Sequence, residues 1–221
     1  MFAETEGFLT AIKDQVLLTR NYKKYILKQP DTEELCRRCG KESETIQHIT
    51  AACEYVKRHE GLAKIIRQKL AEAAELIDDK SPYYKYTPAN VLENENFKLY
   101  WNRSTLTDKT VTFNRPDITF VNKKTKNTFL IDTAVPNTHN LAKTITDKQN
   151  KYQELANEIC AMWKQKAAQV IPIVISSMEV IPKSLSHSLT TLNLHPNTYI
   201  QLQESVILGT CSIARNFLNY K

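Results

Sequence analysis

The sequence predicts an α/β domain, a mixed β-sheet flanked by helices, preceded by a helical linker and a small cysteine-histidine module. Three observations carry that reading. Apolar residues recur at helical spacing up to about residue 76, short β-branched and aromatic runs fill residues 97–134, and helical patterns alternate with one more apolar run from there onward. A helix, several strands, a helix, a strand and further helices, in that order, imply a mixed sheet covered by helices.

Phe8, Leu9, Ile12, Val16 and Leu17 set the first helical pattern, so Glu4 to Leu27 reads as one amphipathic helix or two short ones, stopped by Gln29-Pro30-Asp31. A Cys/His cluster fills Cys36–Cys53, and a second helical pattern runs from about Val56 to Leu76. The breaker Asp78-Asp79-Lys80-Ser81-Pro82 marks the expected boundary, giving a linker (1–34), a cysteine-histidine module with its helix (35–80) and a main domain (81–221). Phe97–Trp101, Val111–Phe113, Ile118–Val121 and Thr128–Ala134 read as strands, with residues 122–127 as the hairpin loop between the last two. A long helix is expected over Asn140 to Ala168, then a strand buried on both faces at Val170–Ile175, then helices near Pro182–Leu192 and Tyr199–Tyr220.

The composition, 42% hydrophobic and 24% charged over 221 residues, is that of a chain able to bury a core. Only four glycines occur, which leaves no Gly-rich phosphate loop and argues against a nucleotide-driven motor or kinase. The first ten residues carry Glu4 and Glu6, and no apolar run approaches ~18 residues, so neither secretion nor a membrane span is expected. The net charge of +6 is uneven: residues 101–170 hold eleven Lys and Arg against six Asp and Glu, whereas residues 1–100 hold sixteen of each. A concentrated basic excess suits a polyphosphate partner, because each neutralised phosphate releases condensed counterions. A merely lysine-rich soluble surface is the other reading.

Cys36-x2-Cys39-x8-His48-x4-Cys53 puts three thiols and an imidazole within eighteen residues, a donor set that tetrahedral Zn²⁺ accepts. A redox Cys-x2-Cys pair would not need His48 and Cys53 in register. Cys160 and Cys211 fall on expected helix faces, where a lone cysteine is usually a small core hydrophobe.

Asp117 opens one expected strand and Asp132 ends the next, with fourteen residues between them. On adjacent strands of a hairpin that separation can bring both carboxylates to one edge of the sheet, where Mg²⁺ or Mn²⁺ would relieve their repulsion. Alone, Asp117 after Pro116 is also a good turn residue. Asp132 within an apolar strand is harder to explain without a ligand or counter-charge. Metal-assisted phosphodiester hydrolysis further needs a positive group for the developing charge. Lys148 fills that role on the following helix, with Tyr152 on the same face at i+4; Lys151, displaced by about 60° the other way, is its rival. Glu93 and Glu95 can supply a further ligand or simply sit in a solvated loop, and His139 reads as a surface or capping residue.

Arg115-Pro116-Asp117 followed by Ile131-Asp132-Thr133-Ala134-Val135-Pro136 resembles the PD…D-x-x-VP form of the PD-(D/E)xK motif. That form belongs to the restriction-like endonucleases of site-specific non-LTR retrotransposons. In that family the lysine has moved to the next helix as K-x-x-x-Y, matched by Lys148-Gln-Asn-Lys-Tyr152; Ala134 stands where the ordinary motif has its lysine. The family also carries a Cys-Cys-His-Cys module before the nuclease, then an Arg-His-Asn sequence, resembled here by Arg58-His59-Glu60. Glu60 departs from that pattern, as does Thr144, where the family often has a basic residue. The resemblance covers nearly the whole chain, and its specificity lies in the ordered set of motifs.

The resemblance implies a restriction-endonuclease-like core that nicks DNA for target-primed reverse transcription, with Asp117, Asp132, Lys148 and Tyr152 catalytic and Arg58, His59, Arg115 and Lys151 on the DNA. It further implies structural zinc at Cys36, Cys39, His48 and Cys53, catalytic Mg²⁺ or Mn²⁺ at the aspartates, DNA and element RNA as partners, and a nuclear location, or a cytoplasmic one before import. A reverse transcriptase belongs to the expected parent protein; its Tyr-x-Asp-Asp motif does not occur in these residues. A catalytically inactive nucleic-acid-binding remnant is the competing expectation, and a structural remnant without a nucleic-acid role is a third.

Overall fold

A computed structural model describes residues 3–54, 60–78 and 81–219. Two short helices open it, α1 (Ala3–Lys13) and α2 (Arg20–Tyr25), split by a turn with Gln15 at φ 60° and by Thr19, whose side chain caps α2 by accepting from Tyr22 N–H. The cysteine-histidine segment follows, then α3 (Glu60–Ala73). Strands β1 (Val91–Glu93), β2 (Phe97–Trp101), β3 (Ile118–Asn122) and β4 (Asn127–Ala134) come next. Helices α4 (Leu141–Lys151) and α5 (Gln153–Met162) lead to β5 (Ala167–Val174), and α6 (Lys183–Thr191) and α7 (Thr198–Leu218) complete the fold. Among the described residues no helix is long and apolar enough to cross a membrane.

The sheet runs β1-β2-β3-β4-β5, antiparallel through β4 and parallel between β4 and β5. Parallel neighbours need a crossover, and α4 with α5 supplies it. Side chains alternate across β4: Ile131 joins the core beneath α3, α6 and α7, and Leu130 packs on the other side with Leu155, Ala156 and Ile159 of α5. The protein is therefore α/β, with a five-stranded mixed sheet between two layers of helices. Leu62, Ile65, Ile66 and Leu70 put α3 in the same core as the strands, so the helix grouped with the cysteine-histidine module by sequence packs in the main core.

Four expectations change. Val111–Phe113 is not a strand: β2 pairs directly with β3 at Trp101↔Ile118, leaving no edge between them, and Val111 instead buries its side chain beside Leu130 and Tyr152. Residues 91–93, left outside any strand, form edge strand β1, turned into β2 by Asn94, whose side-chain oxygen accepts from Asn96 and Phe97 N–H. The long helix over 140–168 breaks at Tyr152 (φ −109°, ψ 11°), because its N-terminal half buries no side chain whereas α5 lies on the sheet. It also ends early, at Lys164 (φ 51°), so that β5 begins at Ala167.

Away from the sheet, Leu9, Ile12 and Leu17 pack with Ile46 against Ile207, Cys211 and Ala214 of α7. The junction is pinned by Glu44, fully buried, which accepts from Arg37 Nη2 at 2.6 Å, Arg37 Nε at 3.0 Å, and the backbone N–H groups of Arg37 and Arg20, each at 2.9 Å. Arg37 in turn lies over the Phe217 ring of α7. Burial alone would raise the Glu44 carboxyl, but these donors outweigh it and hold its pKa below the usual range. Its contribution is thus present above the unfolded carboxylate pKa of ~4.3 and lost as pH falls through the depressed folded value. Glu44→Gln is expected to lower unfolding free energy at neutral pH by on the order of 3 kcal/mol, since it strands Arg37 beside an uncharged partner. Urea denaturation with and without the substitution checks this; an unchanged midpoint would contradict it.

Candidate functional site

Cys36, Cys39, His48 and Cys53 converge, one ligand atom from each lying within 4.8 Å of the others. Cys36 Sγ is 4.0 Å from Cys53 Sγ, and Cys39 Sγ is 3.3 Å from His48 Nε2. A tetrahedron with ~2.3 Å metal–sulfur arms has sulfur–sulfur edges of about 3.8 Å, so the cluster can hold a metal ion and is compatible with structural zinc. The first pair sits on a tight turn in which Gly40 N–H donates to Cys36 O and Gly40 adopts φ +65°, open to glycine at no steric cost. The second pair is joined by a π-turn, His48–Ala52, closed by Cys53 N–H donating to His48 O. In an α-helix five steps at ~100° would carry Cys53 about 140° away from His48, so the wider turn is what the four-residue gap requires.

The cluster is docked rather than free-standing: Cys36, Cys53 and Ile49 bury against Phe217. Burial would raise the Cys39 thiol, yet the backbone N–H groups of Lys41 and Glu42 and the thiols of Cys36 and Cys53 bring it below its ordinary value. A depressed thiol pKa favours the thiolate that binds metal.

The second assembly lies on the sheet. Continued one step beyond the end of β3, the register Ile118↔Ile131 sets Asp117 opposite Asp132 of β4, and Asn102 N–H donates to Asp117 O on the far side. Asn102, Asp117 and Asp132 thus form one row across three strands. Asp117 Oδ2 accepts from both Thr133 N–H (2.8 Å) and Thr133 Oγ1 (2.6 Å). Asp132 is 3% exposed; its Oδ2 lies 2.5 Å from Lys148 Nζ and 3.8 Å from Lys151 Nζ. Burial raises the Asp132 pKa; Lys148 opposes the rise and the Asp117 charge adds to it.

Both lysines therefore face the same carboxylate, because a ~60° displacement on the helix is within the reach of a four-carbon side chain. Lys151 also lies over the Tyr152 ring at 4.6 Å and the Phe113 ring at 5.2 Å. Tyr152 is 1% exposed and its hydroxyl donates to Arg115 O at 2.9 Å, tying α4 to the segment that presents Asp117. Burial pushes the phenol well up, with Asp132 and Asp117 adding to the rise. Arg115 is exposed and donates from Nε to Asn102 O and Oδ1, each at 3.0 Å.

Arg58 and His59 lie outside the described residues. Glu93 is held by Lys98 and Lys123 on edge strand β1, and His139 is an exposed residue of a short 3₁₀ turn. Cys211 is buried between α1 and α7, and Cys160 is partly buried on α5. Three residues that position the site were not anticipated: Thr133, Asn102 and Glu44. Thr133 stands directly after Asp132, and a hydroxyl beside a motif carboxylate is the signal that marks it.

The basic segment is split by the fold. Lys148, Lys151 and Arg115 gather at the carboxylate end of the sheet, while Lys123, Lys124 and Lys126 lie around the β3–β4 turn, where Lys166 N–H donates to Lys126 O. Five β4 residues, roughly 17 Å, separate that turn from Asp132. No protein-family model matches the chain, and no curated protein matches it.

Protein purified without a metal-binding tag is expected to carry stoichiometric zinc, since a structural zinc supplies ~10–16 kcal/mol of apparent folding free energy to a small module. Metal analysis beside Cys53→Ser tests this: the variant should lose the ion and melt earlier. Folded parent protein with zinc near zero would overturn it.

Proposed function

We propose that the chain is the C-terminal part of a non-LTR retrotransposon protein whose restriction-endonuclease-like domain nicks target DNA to expose a 3′ hydroxyl for reverse transcription. The observation that carries this is the paired Asp117 and Asp132 with Lys148 on the second carboxylate, the same residues that resemble the family's motif. DNA, with element RNA, is the proposed partner, the reverse transcriptase lies in the parent protein, and the site of action is the nucleus.

Two adjacent carboxylates form a hard oxygen donor set of the kind Mg²⁺ or Mn²⁺ takes alongside substrate phosphate and water. Asp117 and Asp132 would hold such an ion, which would supply Lewis-acid polarisation of the phosphate and a more acidic water. The chain's own residues supply the rest. Thr133 fixes Asp117 by two hydrogen bonds, which sets the direction of its carboxylate. Lys148 balances the buried Asp132 charge and stands where charge on a phosphate oxygen can be met by an ammonium. Tyr152 acts as a positioning residue, since its hydroxyl is already committed to the Arg115 carbonyl. Lys151 and Arg115 offer positive charge to the DNA backbone beside the site.

A non-catalytic nucleic-acid-binding remnant is the second reading. It is favoured by the engagement of Asp132 Oδ2 by both lysines, an arrangement that also neutralises the carboxylate without any metal. A plasmid-nicking assay with Mg²⁺ or Mn²⁺, comparing the chain with Asp132→Asn, separates the two: nicking lost in the variant supports the nuclease, and equal absence in both supports the remnant.

Lys148→Ala is expected to slow single-turnover nicking by on the order of 10²–10³, the effect of deleting one preorganised electrostatic donor, while DNA affinity survives. Lys151→Ala should mainly weaken binding. The reverse result would reassign the catalytic amine to Lys151. Binding itself should fall steeply with salt and change little in Asp117→Asn, because phosphate contacts and not the carboxylates supply the attraction. A flat salt series would argue against a DNA partner.

A further inference from the structure

Two residues along from the carboxylate row lies a second row on the same face of the sheet. The register pairs Tyr100 with Thr119 and Thr119 with Leu130, so Tyr100 sits about 7 Å from the Asn102–Asp117–Asp132 row and shares its face. There the Tyr100 ring stacks on Trp163, which follows α5, with centroids 6.2 Å apart and planes 29° apart. Tyr100 and Trp163 wall a cleft of about 370 Å³ completed by Arg103, Ser104, Thr105 and Leu106. Arg103 is exposed and pairs with no carboxylate among the described residues, and Leu106 is 86% exposed. Lys98 Nζ lies 5.2 Å from the centroid of the Tyr100 ring, and Lys164 directly follows Trp163.

We propose that this cleft takes an unpaired nucleobase of the DNA strand held at the carboxylate row. The inference rests on reading that row as the place where DNA is held. Both rings are partly exposed, Trp163 also packing against the α5 core, and their exposed parts offer a π-surface that accepts any base. Arg103 brings an uncommitted guanidinium suited to a base face or a phosphate. Lys98 is paired with Glu93, so the positive charge beside the aromatic pair comes from Arg103 and from Lys164, which directly follows Trp163. A paired base keeps both its faces in the duplex stack. The cleft therefore distinguishes a locally opened strand from an intact duplex, at a spacing of about one nucleotide from the carboxylates.

The test uses the full chain with Trp101→Phe, so that Trp163 is the only tryptophan, and no added divalent cation. Short oligo(dT), oligo(U) and a blunt duplex of equal length are titrated while Trp163 fluorescence is read. Oligo(dT) should quench Trp163 and the duplex should do so far less. Tyr100→Ala should weaken oligo(dT) binding by roughly 5- to 140-fold, the equivalent of ~1–3 kcal/mol for one base stack, and leave duplex affinity within twofold. Tyr100→Phe should restore it. Arg103→Ala, at an exposed position, should weaken oligo(dT) binding without altering the melting temperature. Equal losses for single strand and duplex, or no loss in either variant, would overturn the proposal, and tighter binding of oligo(U) would overturn the assignment to DNA. Because no catalysis is measured, failure of the nicking assay leaves this comparison intact, and failure here leaves the nuclease reading untouched.

Discussion

A carboxylate inside a strand buried on both faces is the constraint on which the rest of this fold depends. Leaving Asp132 ionised and unpaired there would cost several kcal/mol, so whatever lies above it must be positive. That requirement reaches outward. The crossover between β4 and β5 has to return over the sheet with its lysines facing inward, which α4 does through Lys148 and Lys151. A slip of one residue in the β3–β4 register would turn Asp132 to the opposite face, among Ile118, Ile131 and Ile173 and away from Lys148 and Lys151. The four-residue hairpin between Asn122 and Asn127 therefore fixes electrostatics as well as pairing.

How much of this was readable in advance follows from where the information lies. β2, β3 and β4 appear within a residue or two of their expected bounds because β-branched and aromatic runs between polar turns are a local signal. The β1 strand is three residues long and carries Glu93, so no local pattern marks it; it exists because β2 has an edge to offer. Val111–Phe113 has the composition of a strand, but β2 and β3 pair directly and leave it no place between them. The break at Tyr152 is equally non-local, since an aromatic at that position continues a helix by pattern, and here it ends α4 where its ring buries beside Val111, Leu130 and Leu155.

The candidate site divides along the same line. Motif spacing singled out the four Cys/His residues, the two aspartates and both lysines, and the fold brings the members of each set together. Of the residues that hold them in position, Thr133 is marked locally by its place after Asp132, whereas Asn102 beside Asp117 and Glu44 beneath the cysteine-histidine cluster are recognisable only once the fold brings their partners to them. Arg67 is a further case: a fully buried arginine in the middle of α3 whose Nη2 donates to Ala89 O and whose pKa is drawn down to about 10 by burial. It shares the buried face of α3 with Ala63 and Leu70, whereas Lys64 and Lys69 of the same helix are only partly buried.

Helix α7 touches three packed regions in turn: Leu202 and Val206 in the main core, Ile207, Cys211 and Ala214 against α1, and Phe217 against the cysteines. Over its 21 residues, about 32 Å, it serves as the common wall of all of them. Regions that share a continuous helix cannot gain or lose order independently, because fraying at one end removes packing from the next. The cysteine-histidine cluster, the leading helices and the sheet are thus coupled through one helix, and a chain cut to begin at α3 would leave an apolar stripe of α7 bare to aggregation.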